Sequence, residues 1–480
     1  MRKWMHIVLA AVLACGCDRG SLPEPFGVCP TAGQLAWQRQ ELTMFFHFGP
    51  STFSGLTGEA ATNRYTAQEL IGLYRPQKID AGQWAEVAAE AGFQGVILTA
   101  KHHDGFSLWP APHSVCHVGL CPEPYNQDVI KSLSEAARRQ GLNMGVYLSP
   151  WDKNDPAFGT EAYNSHYTDA LKSLLDGSYG TINEVWFDGN GADRSPYDFA
   201  LFNRTVYQCN PDAVIFSNIG PGCRWVGNEA GIASETNWSA FSPDLHGAAQ
   251  GALPGDYEYY LGQGDEAGAW WIPAEADMSI RPTDGPNGWF WQAWQEPKSA
   301  RELMKIYYET VGRNAQMLLN VPPTAEGVLD ARDIQVLMEF KALRDSVFSS
   351  NLADGATAKA SSCLNRRFGP QHLLDKDSDT FFAAKEPQVS IEVKLDGPKS
   401  FNRVLLQEYI PLGQRVKAFR VEVRRGGRWE PWAFGTTIGY KRILLGPAVT
   451  TDAVRVLIDD ALAPPVLARL GLHWDTVSGL

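Results

Sequence analysis

Short apolar runs recur along the first three quarters of the chain, separated by stretches with a helical repeat. Leu42–Phe46, Gly95–Thr99, Met144–Leu148, Glu184–Phe187, Ala213–Ser217 and Ala315–Leu319 each read as a buried strand, being short and largely apolar. Between them, Ala81–Ala91, Asp128–Gln140 and Tyr163–Leu175 gather their apolar residues on one helical face. Strand alternating with helix is the pattern of a parallel α/β sheet. Residues 218–287 are rich in Gly, Pro and Trp, with weaker strand signals near Tyr257 and Trp270, where two more barrel strands with long loops are expected. The sum is a (β/α)8-type barrel over residues 30–350. A helix over Asp330–Val347 leads to the turn-rich boundary Asn351-Leu-Ala-Asp-Gly-Ala356. Beyond it the alternation changes to period two, in Val389–Leu395, Arg403–Gln407, Phe419–Val423, Arg442–Leu445 and Val454–Ile458. Short strands at regular spacing predict a β-sandwich over 351–480.

Polar residues gather where the predicted strands end. His47 follows the first, Lys101-His102-His103-Asp104 the second, and Ser149-Pro150-Trp151-Asp152 the third. Asp188, Asn218 and Asn320 follow later ones. A barrel carries its chemistry in the loops at the C-terminal ends of its strands, so these residues are expected to converge on one pocket.

The N-terminus belongs to no fold. Arg2 and Lys3 precede an apolar run, Met5–Ala14, that is too short to span a bilayer, and Cys15 and Cys17 follow among small residues. Residues 1–17 resemble a bacterial lipoprotein export signal, with Cys15 or Cys17 as the lipidated residue. The expected location is outside the bacterial cytoplasm, periplasmic or anchored to the outer membrane, with the membrane met only through that anchor. A plain secretory signal is the alternative. Export permits disulfides; Cys116 with Cys121, and Cys209 with Cys223, are the spacings that invite pairing.

Net charge narrows the partners. At -12 the chain lacks the basic surface a nucleic acid needs. The 16 Trp, 16 Tyr and 22 Phe fit sugar stacking as well as a large core. A Gly-x-Ser-x-Gly elbow, a Walker loop and a Gly-x-Gly-x-x-Gly turn opening a helix are all missing from the sequence, so serine-hydrolase and nucleotide chemistry lack support.

Glycoside hydrolysis needs two carboxyl groups flanking one bond. Asp188, in Val185-Trp-Phe-Asp-Gly189, is a carboxylate presented at the end of a buried strand, although an aspartate there also caps helices. The second carboxyl must come from another loop, and Glu229, Glu235 and Glu275 are the candidates, each in surroundings dense with Trp and Gly. Pairing with Arg224 or Arg281 is the competing role for any of them. His102-His103-Asp104 also invites a metal. Adjacent residues of an extended segment point oppositely, however, and imidazoles at a barrel mouth serve as partners for sugar hydroxyls. Sugar binding is therefore expected, with no metal and no cofactor.

Together, Phe46-His-Phe-Gly49, Lys101-His-His-Asp-Gly-Phe106, Trp186-Phe-Asp-Gly189 and Leu318-Leu-Asn-Val-Pro-Pro323 resemble the α-L-fucosidase family of retaining glycoside hydrolases. The resemblance implies Asp188 as nucleophile and His47, His102 and His103 as ligands of the fucose hydroxyls, with Trp186 and Arg224 as further substrate contacts. Asn228-Glu-Ala-Gly231, with Glu235-Thr-Asn-Trp238, is similar to the branch that cleaves α-1,3/1,4-linked fucose, and in that branch Glu229 matches the acid/base. Glu275 is expected to shape the aglycone side. Residues 55–63 depart from the Trp- and Glu-containing loop the family carries there, with Glu59 as the expected substitute. The C-terminal unit resembles a discoidin-like sandwich, expected chiefly to buttress the barrel. The implied reaction is exo-acting double displacement on fucosylated glycans, with two carboxyls about 5–5.5 Å apart. A non-catalytic fucose-binding lectin on the same fold is the alternative.

Overall fold

A computed structural model describes residues 21–56, 64–188, 196–250, 255–284, 288–377 and 379–476. Residues 1–17, read above as an export signal, lie outside the described residues, as do Glu59 and Gly189.

Eight parallel strands close into a barrel: β1 (Leu42–Phe46), β2 (Gly95–Lys101), β3 (Asn143–Leu148), β4 (Ile182–Trp186), β5 (Val214–Ser217), β6 (Cys223–Trp225), β7 (Ala274–Ser279) and β8 (Gln316–Asn320). Each pairs with its sequence neighbours, and β1 pairs with β8 to complete the ring. Alternation along each strand separates two apolar layers. Met44, Val96, Val146, Val185, Ile215 and Leu319 face outward and pack under the helices. Phe45, Ile97, Tyr147, Trp186, Phe216 and Leu318 face inward and fill the barrel. Interlocked side chains, and not a pore, occupy the centre.

Helices Ala81–Glu90, Val129–Gln140 and Tyr163–Leu175 lie where their periodicity predicts. Asp128 caps the second through Lys131 N, and Gly141 ends it in the left-handed region, φ 71°.

The two strands expected near Tyr257 and Trp270 are not barrel strands. Tyr257–Gln263 is a helix, and Trp270–Trp271 pairs antiparallel with Ala240–Phe241 in a separate small sheet. The barrel takes β6 and β7 instead. β6 is only three residues long. In β7, Ala274, Ala276 and Met278 face the helices while Glu275, Asp277 and Ser279 belong to the inward set, so the hydrophobic pattern of a buried strand is missing.

The disulfide expectation fails. Cys29, Cys116, Cys121, Cys209, Cys223 and Cys363 are all free thiols. Cys223 sits inside the barrel and Cys209 ends an outer helix, exposed, so the strand wall stands between them.

The C-terminal unit has seven strands: β9 (Thr357–Ala360), β10 (Phe382–Ala383), β11 (Val389–Glu408), β12 (Val416–Arg425), β13 (Arg428–Gly435), β14 (Arg442–Ala461) and β15 (Val466–His473). β11 and β14 are 20 residues each, and register shifts in their pairing at Lys394/Lys399 and Phe401/Arg403 bend them around a shared core of Phe401, Phe419, Val421, Val454 and Leu472. This sandwich bears on the N-terminal ends of the barrel strands. Asn314, just before β8, donates its N–H to Lys441 O at 3.0 Å and accepts Tyr440 N–H at 2.7 Å. Lys441 pairs with Glu41, just before β1. The opposite face, where the strands end, stays clear for chemistry.

Candidate active site

Period two carries each strand's inward row up to the mouth. Glu184, Trp186 and Asp188 form one row; Thr43, Phe45 and His47 form another; Gln316, Leu318 and Asn320 a third. Asp188, just beyond β4, is a quarter exposed. Tyr147 donates its hydroxyl to Asp188 Oδ2 at 3.0 Å. His103 Nε2 stands 3.4 Å from the same oxygen. The Nδ1 of His103 lies 2.7 Å from Ser149 Oγ, an arrangement in which Ser149 donates and Nε2–H faces Asp188.

His47 is oriented from behind. Asn320 donates through Nδ2 to Ser279 Oγ (3.0 Å) and Trp289 O (2.8 Å), which leaves its Oδ1 to accept from His47 Nδ1 at 2.9 Å. The Nε2 of His47 is then a lone-pair acceptor. Burial pushes the His47 pKa down to about 3. Burial, with His103 and His47 nearby, likewise holds His102 well below the usual imidazole range. Both rings are neutral, and His102 Nδ1 is buried without a partner among the described residues. Phe290 meets His47 and His102 edge-on, at 5.5 and 5.1 Å between centroids, and Trp289 lies 5.2 Å from His47. Neutral imidazoles framed by aromatic rings suit a deoxysugar, with hydroxyls on one side and apolar C–H groups on the other.

His102 and His103 do not point apart as strand alternation predicts. The chain turns after β2, with Gly105 N–H bonding His102 O at 3.0 Å, and the two rings end 4.3 Å apart beside Tyr147.

The carboxyl candidates separate clearly. Glu229 reaches the mouth: desolvation raises its pKa, the negative Asp188 raises it further, and a hydrogen bond with Trp289 opposes both. Glu235 lies at the sandwich interface, paired with Arg442 and, at 2.7 Å, with Arg313; burial raises its pKa, but these cations outweigh it and hold the carboxyl down. Glu275 is fully buried below the mouth, its Oε1 accepting Trp186 Nε1 at 2.7 Å, and so has no aglycone side to shape. Trp186 itself lies one layer beneath Asp188, stacked on Phe216 at 3.6 Å. Arg224 is buried on the outer face of β6. It donates to Leu261 O (2.7 Å), Ile272 O, Asn237 Oδ1 and Trp238 O (both 3.0 Å), so its guanidinium is spent on holding the loop behind the barrel.

Asp277 escaped the sequence reading. It is buried on the inward row of β7, and Trp225 Nε1 donates to it at 2.7 Å. Burial, with Glu229 and Asp188 adding repulsion, pushes its pKa up to about 8. Tyr147 was also missed, and period two from Ser149 is the signal that finds it.

A carboxylate bonded by a tyrosine, with a second carboxyl of raised pKa at the same mouth, is suited to acid-assisted glycoside cleavage. The chain is similar to known proteins over nearly its full length. Residues 34–342 match the Alpha-L-fucosidase family model, and residues 357–467 match the F5/8 type C domain, a discoidin-like sandwich. Alpha-L-fucosidase 1 of Arabidopsis thaliana is 39% identical over 95% of this chain and 90% of its own. The solved structure of SpGH29 superposes with a TM-score of 0.87 at 37% identity, covering 94% and 99% of the two chains. A Ruminococcus gnavus GH29 fucosidase in complex with fucose gives 0.85 at 29% identity, over 96% and 98%. The chain therefore belongs to the α-L-fucosidase family and is a glycoside hydrolase of that activity, a (β/α)8-type barrel backed by a discoidin-like sandwich.

Proposed function

We propose that this α-L-fucosidase works by exo-acting double displacement with retention, on terminal α-1,3/1,4-linked fucose of oligosaccharides or glycoconjugates. Asp188 attacks the anomeric carbon while Glu229 protonates the leaving oxygen; water deprotonated by Glu229 then releases fucose. His47, His102 and His103 take the fucose hydroxyls, and Glu59 is proposed to complete their wall. The observation carrying this reading is the electrostatic coupling of Asp188 and Glu229 at one mouth, which supports holding the glutamate as an acid beside a charged nucleophile. The linkage preference rests on the resemblance of Asn228-Glu-Ala-Gly231, Glu235-Thr-Asn-Trp238 and the segment 271–282 to the branch that cleaves such linkages. The division into a leader over 1–17, a catalytic unit over 30–350 and a sandwich over 351–480 is likewise proposed, with export and lipidation at Cys15 or Cys17. Among the described residues no helix is long and apolar enough to cross a membrane.

Asp188→Ala is expected to abolish turnover of an aryl fucoside, and azide to restore it with an inverted fucosyl azide as product. Full activity in that variant ends the assignment. NMR of the first-formed fucose anomer decides retention. Rates on 1,2-, 1,3-, 1,4- and 1,6-linked fucosides decide linkage, and palmitate labelling of Cys15→Ser and Cys17→Ser variants decides the anchor.

A further inference from the structure

Beneath Trp186 the barrel encloses a cluster that the reaction does not touch. Glu184 of β4, Cys223 of β6 and Glu275 of β7 bring one ligand-capable atom each within 4.8 Å of one another, all buried. Two indole N–H groups define the carboxyl orientations. Trp37, on the helix Ala32–Gln40, donates to Glu184 Oε2 at 2.8 Å, and Trp186 donates to Glu275 Oε1 at 2.7 Å. That leaves one oxygen on each carboxyl, Glu184 Oε1 and Glu275 Oε2, buried with no donor among the described residues. Among the described residues, no cation is placed to offset two charges. Cys223 is a neutral thiol driven up by burial, Asp277 above on β7 is itself acidic, and Arg224 turns outward onto carbonyl oxygens. The two carboxyls lie close enough to interact by a side-chain hydrogen bond, and a single proton, donated by one carboxyl and accepted by the other, satisfies both.

We propose that Glu184 and Glu275 form a proton-sharing carboxyl pair that positions the reacting carboxylate from below. The route upward is physical contact. Glu275 fixes the Trp186 indole, Trp186 stacks between Phe216 (3.6 Å) and Tyr147 (5.4 Å), and Tyr147 donates to Asp188 Oδ2. Asp188 follows Trp186 on the same inward row, two residues on. Both are positioning residues, since neither reaches the mouth. Burial raises the Glu184 pKa to about 7 and holds Glu275 well above the usual carboxylate range, which agrees with a retained proton at neutral pH. With raised values the sign is fixed. The pair is intact in acid and loses its proton as pH rises, leaving two repelling carboxylates under the floor of the site.

The inference rests on Asp188 as the reacting carboxylate only for its effect on turnover; the shared proton is read separately from stability. The test compares full-length wild type, Glu275→Gln and Glu275→Leu. Gln keeps an acceptor for Trp186 and supplies an N–H in place of the shared O–H. Its kcat is expected within about threefold of wild type, whereas Leu loses about tenfold or more in kcat with little change in KM. The melting temperature of the wild type is expected to fall at alkaline pH more steeply than that of Glu275→Gln, whose pair cannot lose its proton. Equal damage from Gln and Leu, identical alkaline limbs in wild type and Gln variant, or a stoichiometric metal on elemental analysis of the wild type would each overturn the proposal. If Leu fails to fold, the alkaline comparison with Gln still decides. Should Asp188→Ala remain active, the nucleophile reading fails, while the stability comparison still judges the pair.

Discussion

Tyr147 donates its hydroxyl hydrogen bond to Asp188 Oδ2 at 3.0 Å, while its ring lies against Trp186 and His102. Tyr147→Phe keeps the ring stack and deletes only that donor. A hydrogen bond to a charged group contributes about 1.5–3 kcal/mol, so kcat is expected to fall about 10- to 100-fold with a smaller effect on KM. Steady-state kinetics on an aryl fucoside checks this. Glu229 makes a second prediction. Its pKa is raised by burial and then by the negative charge of Asp188, so Asp188→Asn, which removes that charge, is expected to move the glutamate down towards the ordinary range. Carbon-13 NMR titration of labelled glutamate in the two proteins reads the shift, and an unchanged titration would break the coupling on which the acid/base role depends.

Among the elements around the site, the turn after β2 has little room to vary. Gly105 takes φ 82°, and a Cβ there would come 2.2 Å from Asp152 Oδ1, the carboxylate whose other oxygen binds Lys101 Nζ at 3.0 Å. Gly105→Ala is expected to cost about 1–3 kcal/mol through strain and to raise KM, because His102 and His103 ride on the same turn. Urea denaturation with fucose inhibition measures both. β7 shows how an element can be hidden by its own chemistry. Its outward residues are small and apolar, while its inward row carries Glu275, Asp277 and Ser279, so neither alternation strength nor a continuous apolar run marks it. The strands that were visible, β1 to β5 and β8, each carry a short run of large apolar residues such as Met44-Phe-Phe46, Val96-Ile-Leu98 or Met317-Leu-Leu319.

At the scale of the molecule, the sandwich grips the barrel far from the mouth. Arg403, Asp475 and Tyr308 form a buried knot, with Arg403 to Asp475 at 2.9 Å and Tyr308 to the same Oδ2 at 2.7 Å. Arg403→Ala strands a buried aspartate and is expected to cost about 3–5 kcal/mol of stability, with kcat of the folded enzyme unchanged. Chemical denaturation beside kinetics separates the two effects. The pH dependence of stability follows from the buried acids. Asp277 at about 8, and Glu184 and Glu408 each at about 7, are raised above their unfolded values, so their contribution is present in acid and lost as pH climbs. His47 at about 3 and His473 at about 4 are depressed and oppose this only below the unfolded imidazole value near 6.5. The melting temperature is therefore expected to decline from about pH 6.5 to 8, a window in which the histidines no longer change. A flat profile there would mean that these acids are ionised in the folded protein.

Local pattern by itself determined the strand–helix alternation, the change to a β-sandwich after residue 350, and the gathering of His47, His102, His103 and Asp188 at strand ends. Those features are written in neighbouring residues, through periods of two and 3.6 and through which residue follows a strand. Only the closed barrel separates the surroundings of the three glutamates. Glu229, Glu235 and Glu275 sit in similar stretches of sequence, yet one reaches the mouth, one pairs across a domain boundary with Arg442 some two hundred residues on, and one is sealed under an indole. The same closure buries Asp277 beneath the mouth, commits Arg224 to the loop behind the barrel, and keeps Cys209 from Cys223. Burial and charge environment depend on residues distant along the chain, and those fix the proton on a carboxyl; the residue type fixes only that it has one to lose.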